Sequence, residues 1–310
     1  AAPAELSAAP AELSAAPAEL SAAPAPGKPA PARSAGRPTG SGSNPAAGKP
    51  TVTLATVLVG DDPASQVYVR GKHRDAQEVG MGSRDIQLPA EATQQQVEEL
   101  VASLAEDPGT HGILVQLPLP AGLDPEAILR LIPLAKDVDG LTPTSLGSLV
   151  RGLPGHVGAT PRGVMALLAR YGVPTAGKRA VVVGRSTLVG LPLVILLGRK
   201  GTDATVTLAH SRTPDLAALT READIVVAAA GVPGLITAAH VKPGAAVIDV
   251  GTTRTPDGIR GDVAFDEVAA VAGAITPMPG GTGPMTRACL LENVVDAARM
   301  QGACPLRKIG

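Results

Sequence analysis

The chain has 310 residues, with 27 Lys and Arg against 28 Asp and Glu, so its formal net charge is -1. This balance argues against a protein that coats nucleic acid or an anionic membrane. Aromatic residues make up 1% of the chain, which also argues against a stacking surface for single-stranded nucleic acid. The two cysteines, Cys289 and Cys304, predict neither a disulfide scaffold nor a metal site, and a reducing, cytoplasmic setting is expected.

The first 50 residues differ in composition from the rest. The heptapeptide Ala-Ala-Pro-Ala-Glu-Leu-Ser occurs three times in succession, and a run rich in Gly, Ser and Pro follows as far as Pro50. Leucine repeats every seven residues there, as in a coiled coil, but proline recurs with the same period. Each proline inside a helix costs about 3 kcal/mol. Residues 1–50 are therefore predicted to be a disordered tail.

From residue 52 onward, short apolar runs alternate with helical patterns. The runs that predict strands lie at 54–59, 83–88, 112–116, 180–183, 205–209, 225–228 and 246–250. The helical patterns lie at 61–79, 93–104, about 124–131, from Thr160-Pro161, at 188–197, from 215, and from Pro284 to Arg299. Such alternation predicts an α/β fold with parallel sheets covered by helices on both faces.

One long segment, 133–162, is rich in Gly, Pro and Thr and is predicted to be a loop at a domain boundary. No membrane span is expected. The longest uncharged apolar stretch, 225–241, is interrupted by Gly and Pro and falls short of the roughly 20 residues that a spanning helix needs.

The first candidate constellation is Tyr68 with Lys72, which lie four residues apart and so on one face of the predicted helix. A phenol near an amine suits proton transfer if burial lowers the pKa of the amine from its free value of about 10.4. The alternative is a solvated surface lysine beside a tyrosine that lies partly along the surface.

Two further candidates follow predicted strands. Gln116 ends the run 112–116, and ligands of parallel sheets collect at the carboxyl ends of strands. The segment 136–140, Lys-Asp-Val-Asp-Gly, places two carboxylates in the boundary loop, where they could bind a polar substrate. An ordinary polar strand end and a pair of capping carboxylates are the alternatives.

The segment Gly184–Gly190 directly follows a predicted strand. It occupies the turn where a dinucleotide fold lets backbone N–H groups approach a pyrophosphate, although Ser186 replaces the second glycine of the usual pattern. The next strand runs into His-Ser-Arg-Thr at 210–213 without a carboxylate for the ribose hydroxyls. Ser211 and Arg212, with Arg185 nearby, would suit a 2′-phosphate, so NADP is the predicted cofactor. No chemistry is assigned to His210.

The last candidate is the loop 277–286, which has three glycines between prolines. Such a loop can bring main chain against a flat ligand, or it can be a plain connection.

Taken in order, six motifs closely resemble the bifunctional methylenetetrahydrofolate dehydrogenase/methenyltetrahydrofolate cyclohydrolase family. The resemblance extends over about 53–298, and its motifs are 60–69, 112–120, 136–140, 160–163, 184–192 and 279–286. Short-chain dehydrogenases also pair Tyr with Lys at this spacing, but in them the pair follows the glycine turn, whereas here it precedes it.

The resemblance implies a catalytic folate-binding domain at 51–145, completed by 277–304, and a Rossmann-like, doubly wound NADP-binding domain at 146–276. It implies oxidation of 5,10-methylenetetrahydrofolate with NADP, then hydrolysis of the methenyl product to 10-formyltetrahydrofolate. A cytoplasmic homodimer that serves purine biosynthesis is expected on the same ground. A dehydrogenase without the second activity, and a folate- or nucleotide-binding protein without turnover, are the alternatives.

The resemblance also implies residue roles. Lys72 would transfer the proton, Gln116 would tune it, Asp139 would anchor the pterin ring, and Tyr68 would stack near it. The expected substrate contacts are Tyr68, Lys72, Val115, Gln116, Leu117, Asp139, Pro279, Gly280, Gly281, Thr282 and Gly283. The expected nucleotide contacts are Gly184, Arg185, Ser186, Ser211, Arg212 and Thr252. Thr282 stands where the family has valine, and the Ala/Pro repeat stands in place of an amino-terminal helix.

Overall fold

The computed structural model of the chain describes residues 52–256 and 258–303, and the predicted α/β fold with parallel sheets is confirmed there. The predicted disordered tail, residues 1–50, lies outside the described residues. So do Thr51 and Cys304, the outer limits of the predicted catalytic domain. Among the described helices, none has the length and apolar composition needed to cross a membrane.

The first sheet contains three parallel strands in the order β2-β1-β3. They are β1 (Thr53–Val59), β2 (Gly82–Leu88) and β3 (Gly112–Val115). The central strand β1 is buried on both faces, as a continuous apolar run predicts.

The second sheet has five parallel strands in the order β5-β4-β6-β7-β10. They are β4 (Arg179–Val183), β5 (Thr205–Ala209), β6 (Ile225–Ala228), β7 (Ala246–Asp249) and β10 (Ala274–Ile275). The chain steps outward from β4 to β5 and then returns past β4 to β6, so this sheet is doubly wound and its switch point lies beside β4. The short antiparallel pair β8 (Thr253–Thr255) and β9 (Gly258–Arg260) was not predicted.

The helices are α1 (Pro63–Glu78), α2 (Gln94–Glu106), α3 (Pro125–Leu129), α4 (Pro143–Arg151), α5 (Ala159–Arg170), α6 (Gly190–Gly198), α7 (Leu216–Arg221), α8 (Phe265–Ala269) and α9 (Thr282–Met300). The caps expected from the sequence are present. Ser65 N donates to Asp62 Oδ2 at 2.7 Å at the start of α1, and Thr93 and Gln96 form a capping box at the start of α2.

The prediction of a loop over 133–162 is wrong, because α4 and the first turn of α5 lie within it. Ser145 N donates to Thr142 Oγ1 at 3.1 Å, Pro143 occupies the first helical position, and Gly152 ends the helix with φ +64°. The Thr, Pro and Gly that suggest loop composition are therefore the start and stop signals of a short helix.

The last helix, α9, closes one face of the first sheet. Leu290 and Val294 pack with Leu54 of β1 and Leu114 of β3 in one buried cluster. The opposite face of the sheet packs against α2. The predicted domain limits at 146 and 277 remain a prediction.

Candidate active site

Lys72 lies in the middle of α1 and faces the carboxyl end of β3. Its Nζ donates a hydrogen bond to Gln116 Oε1 at 3.2 Å. Gln116 is itself fixed: its backbone N donates to Val57 O at 2.8 Å and its Nε2 donates to Leu117 O at 2.8 Å. Because the amide nitrogen is committed to Leu117, the amide oxygen is left to accept from Lys72.

Burial is the main cause of the pKa shifts of Lys72 and Asp139. Burial lowers the pKa of Lys72 from its ordinary value, and the charge of Asp139 opposes this shift. Burial raises the pKa of Asp139; the charge of Lys72 opposes that shift and the charge of Asp137 adds to it. The amine and the carboxylate therefore share one desolvated site, and the interpretation of Lys72 as a solvated surface lysine is wrong.

The neighbouring Lys136 has a structural function. It is buried, and its Nζ donates to Leu104 O at 3.2 Å, Ala105 O at 2.7 Å and Asp107 O at 2.8 Å. These carbonyl groups end α2, where a cation is favoured by the helix dipole. Lys136 therefore anchors the segment 136–140 against α2.

The two carboxylates of that segment divide their functions. Asp137 accepts from Leu141 N at 3.2 Å and from Thr142 N at 2.8 Å, so it caps the turn before α4. Asp139 is the carboxylate coupled to Lys72. The capping alternative is thus correct for Asp137, and Asp139 remains the candidate for substrate binding.

Asn293 is a component of this site that the sequence interpretation missed. It is fully buried in α9, and its Nδ2 donates to Val138 O at 2.7 Å and to Val157 O at 2.8 Å. Its Oδ1 accepts from Arg162. The available signal was a lone amide within the apolar face of the last predicted helix.

Tyr68 lies one turn before Lys72 on α1 and is 43% exposed, so its ring is at the rim of the site. Val115 and Leu117 flank Gln116 along the chain. The Val115 side chain belongs to the core, whereas Leu117 contributes the carbonyl group that orients the Gln116 amide.

The loop before α9 is a tight turn. Gly280 has φ +108°, and a Cβ on Gly281 would lie 2.5 Å from Pro277 O. The helix starts at Thr282, two residues before the predicted Pro284. Thr282 is buried and its Oγ1 donates to Asp249 O at 3.0 Å, so this side chain ties the loop to the end of β7.

A cavity of about 480 Å³ lies at the switch point of the five-stranded sheet. Four of the predicted nucleotide contacts line it: Gly184, Arg185, Ser186 and Ser211. Gly184 has φ +127°, and a Cβ there would lie 2.0 Å from Ala229 O, so only glycine fits. Ala229, in the turn after β6, therefore packs directly against Gly184.

The start of α6 is built around the same turn. A Cβ on Gly190 would lie 2.0 Å from Gly184 O, which explains the displaced last glycine of the motif. Ser186 Oγ accepts from Val189 N at 3.1 Å. The Ser186 hydroxyl thus stabilises the turn before α6, at the position where the usual dinucleotide pattern has its second glycine.

The other two predicted nucleotide contacts are exposed and do not line the cavity. Arg212 is in the same turn as Ser211, and Thr252 follows β7. His210 does line the cavity, and its Nδ1 accepts from Arg212 N at 3.2 Å. The His210 ring therefore accepts a hydrogen bond from the backbone of its own turn.

The two candidate sites adjoin at Gly158. A Cβ there would lie 3.3 Å from Leu188 O, in the glycine-turn segment, and 3.4 Å from Asp139 O. Gly140 is packed more closely still, because a Cβ there would lie 2.7 Å from Gly158 N. The segment that carries Asp139 therefore lies next to the start of α6, as one joint site requires.

Two family models match the chain. The tetrahydrofolate dehydrogenase/cyclohydrolase catalytic domain matches residues 41–139, and the NAD(P)-binding domain of the same family matches residues 158–302. Among curated relatives, the bifunctional protein FolD of Methanospirillum hungatei is 56% identical over 247 residues, which are 80% of this chain and 88% of that protein. The protein of the same name from Acidiphilium cryptum is 57% identical over 246 residues, 79% and 88% of the two chains.

Solved structures agree in fold. The bifunctional FolD enzyme of Campylobacter jejuni has a TM-score of 0.78 and 44% identity, over 81% of this chain and 89% of its own. The enzyme of Trypanosoma brucei, solved with NADP cofactor and an inhibitor, has a TM-score of 0.76 and 43% identity, over 80% and 87%. The expected resemblance is confirmed, and the chain belongs to the tetrahydrofolate dehydrogenase/cyclohydrolase family.

Proposed function

We propose that one site centred on Lys72 performs both reactions of this family, with the nucleotide held beside it in the cavity at Gly184. The chain is a bifunctional enzyme: it oxidises 5,10-methylenetetrahydrofolate with NADP and hydrolyses the methenyl product to 10-formyltetrahydrofolate. The observation that supports the site is the hydrogen bond between Lys72 Nζ and Gln116 Oε1 beside the desolvated Asp139.

The cavity suits a dinucleotide phosphate. Helix α6 begins just after the glycine turn that lines the cavity and has no side-chain cap, so the positive end of its dipole favours a pyrophosphate there. The turn 210–213 offers Ser211 and Arg212 and no carboxylate, which favours a 2′-phosphate over free ribose hydroxyls. When bound there, NADP supplies the acceptor for the hydride that leaves the methylene bridge.

The hydrolytic step requires a group that takes a proton from the attacking water. An amine with a lowered pKa is partly neutral at lower pH than a free lysine and can accept that proton, so we assign this function to Lys72. Gln116 suits it because a neutral amide orients the amine without stabilising its charged form as a carboxylate would. We assign to Asp139 the anchoring of the pterin through its N–H groups, and to Tyr68 the rim contact with the ring.

The decisive experiment measures the two reactions separately. Wild-type protein is expected to reduce NADP with methylenetetrahydrofolate and to hydrolyse methenyltetrahydrofolate supplied directly. Lys72→Met is expected to abolish hydrolysis first, whereas Lys200→Met, at an exposed lysine, should change neither reaction. Normal hydrolysis by Lys72→Met would refute the assignment. Reduction without hydrolysis in the wild type would favour the dehydrogenase alone, and calorimetric NADP binding without turnover would favour a binding protein.

We also propose a cytoplasmic homodimer that supplies 10-formyltetrahydrofolate to purine biosynthesis. The support is the family resemblance, together with the low cysteine content, which suits a reducing compartment. Sedimentation velocity at micromolar concentration tests the dimer, and a monomer would contradict it.

A further inference from the structure

The end of β7 and the segment after β9 contain two buried aspartates, Asp249 and Asp262, outside the residues so far assigned to chemistry. Asp262 is fully buried, and its Oδ2 accepts from Ala230 N at 2.6 Å and from Gly231 N at 2.9 Å. Both donors are in the turn after β6. Hydrogen bonds to a charged acceptor are stronger than those between neutral groups, so this carboxylate fixes the turn firmly.

That turn forms one wall of the nucleotide cavity. Ala229, Ala230 and Val232 line the cavity, and Ala229 O is the atom that excludes any side chain from Gly184. The position of the turn therefore determines both the width of the cavity and the close packing of the glycine turn. Since the N–H groups of residues 230 and 231 point to Asp262, they are not available to a phosphate.

Asp249 fixes Asp262 in turn. Its Oδ1 accepts from Asp262 N at 3.0 Å and from Gly251 N at 3.0 Å, and its Oδ2 accepts from Val263 N at 3.1 Å. The glycines here permit this arrangement: a Cβ on Gly251 would lie 2.1 Å from Asp262 Oδ1, and one on Gly261 would lie 1.8 Å from Asp249 Oδ2.

The backbone of Asp249 extends the same network to the loop before α9. Its N–H donates to Thr276 Oγ1 at 2.8 Å and its carbonyl oxygen accepts from Thr282 Oγ1 at 3.0 Å. Asp249 is thus bonded to the segment before the predicted folate loop and to the residue after its turn. The side-chain carboxylate of Asp262, by contrast, accepts from residues 230 and 231 on the nucleotide side.

We propose that Asp262 is a positioning residue for the nucleotide: its carboxylate holds the turn 229–232 in the conformation that binds NADP, and it does not serve the folate half of the site. The kinetic test of this inference rests on the proposed function. Asp262 acts through the turn 229–232 and touches no reacting atom.

The two reactions of the enzyme separate this role from a general structural one. Hydrolysis of supplied methenyltetrahydrofolate needs no nucleotide, so it reports the fold and the folate site. Asp262→Ala removes the acceptor and is expected to raise the KM and the Kd for NADP about tenfold or more, as loss of hydrogen bonds to a charged group does. The KM of the hydrolytic reaction should remain within about twofold of wild type.

Asp262→Asn is the matched control, because its amide oxygen can accept the same two hydrogen bonds. It is expected to restore NADP affinity to within about threefold of wild type. Equal losses in both reactions, or an Asn variant as defective as the Ala variant, would overturn the proposal.

Two further measurements test the inference. Calorimetry requires no enzymatic turnover, and hydrogen exchange requires no variant. Calorimetry gives the Kd for NADP even if the wild type proves inactive, in which case the proposed function fails independently of this inference. Hydrogen exchange on the full wild-type chain is expected to show residues 230 and 231 protected before NADP is added. Exchange of these amides at the rate of an open loop would overturn the proposal even if Asp262→Ala does not fold.

Discussion

Asn293 Nδ2 lies 2.7 Å from Val138 O, so a side chain of α9 holds the residue that precedes Asp139. The same amide group holds Val157 O, and its oxygen accepts from Arg162. The candidate anchor of the substrate is thus positioned by a helix that lies far from it in sequence.

Asn293→Ala is expected to lower the free energy of unfolding by about 2–4 kcal/mol, because buried polar groups lose their partner. It should also raise the KM for folate substrates, since the segment with Asp139 is released. Gln301→Ala is the matched control: Gln301 directly follows α9, and its Nε2 donates to His111 O and Ala135 O and not to the carbonyl next to Asp139. Urea unfolding and steady-state kinetics check both variants. Equal KM values for them would contradict the positioning of Asp139 by Asn293.

The pH dependence of hydrolysis should report Lys72. Because the neutral amine is the active form, the rate should rise with pH through an apparent pKa below the ordinary 10.5 of lysine. Gln116→Glu places a carboxylate beside the amine, which favours its charged form, and should move the profile to higher pH by about 1–3 units. Identical pH–rate profiles for wild type and Gln116→Glu would mean that another group titrates.

Cofactor choice should depend on two exposed arginines. Arg212→Asp and Arg185→Ala are each expected to weaken NADP binding by about tenfold or more, with a smaller effect on NAD, because only NADP has the 2′-phosphate. Arg170→Ala, at an exposed arginine of α5, should affect neither. The measurement is the Kd of both nucleotides by calorimetry. An equal loss for NADP and NAD would refute the phosphate contact.

Gly184→Ala should separate the two reactions. Its Cβ would meet Ala229 O at 2.0 Å and its φ is +127°, so the turn must move and NADP binding should fall below detection. Hydrolysis of supplied methenyltetrahydrofolate should persist. Gly201→Ala controls for backbone strain, because Gly201 has φ +95° but open space around it. If Gly184→Ala bound NADP as well as Gly201→Ala does, the turn would not be the nucleotide site.

Two buried histidines should make the fold less stable as the pH falls below about 6.5. Burial and the charge of Lys136 lower the pKa of His111, and burial lowers that of His156. A lowered histidine pKa stabilises the neutral form, so this stability is present above about pH 6.5 and is lost as the pH falls through the folded-state value. Urea unfolding at pH 7.5, 6.5 and 5.5 should show the loss, at up to about 1.4 kcal/mol per pH unit for each histidine. His111→Gln should reduce the pH dependence of the free energy of unfolding. The same pH dependence in this variant and in the wild type would contradict the role of His111.

Much of the fold was predictable, because the strands β1, β4, β6 and β7 are largely apolar runs and the first helices carry their own caps. Asp62 and Thr93 accept hydrogen bonds from the first turns of α1 and α2 as their sequence positions suggest. The prediction failed at α4, where Thr142 and Gly152 delimit a helix of nine residues, too short to show a clear apolar period.

The candidate site was predictable only in part. Local sequence could not separate Asp137 from Asp139, because their difference arises from Leu141 N and Thr142 N, which approach only one of them. Nor could it foresee Asn293, whose partners come from segments distant in the chain. Long-range hydrogen bonds of this kind leave no periodic signal.

The packing of α9 against β1 has a consequence for biosynthesis. Leu54 and Leu114 are synthesised long before Leu290 and Val294, which pack against them. The part of the first sheet that α9 covers therefore stays exposed until that helix has been made. Nascent chains must be shielded throughout that interval, and any premature stop before α9 leaves a product with an open apolar surface for chaperones or proteases to recognise.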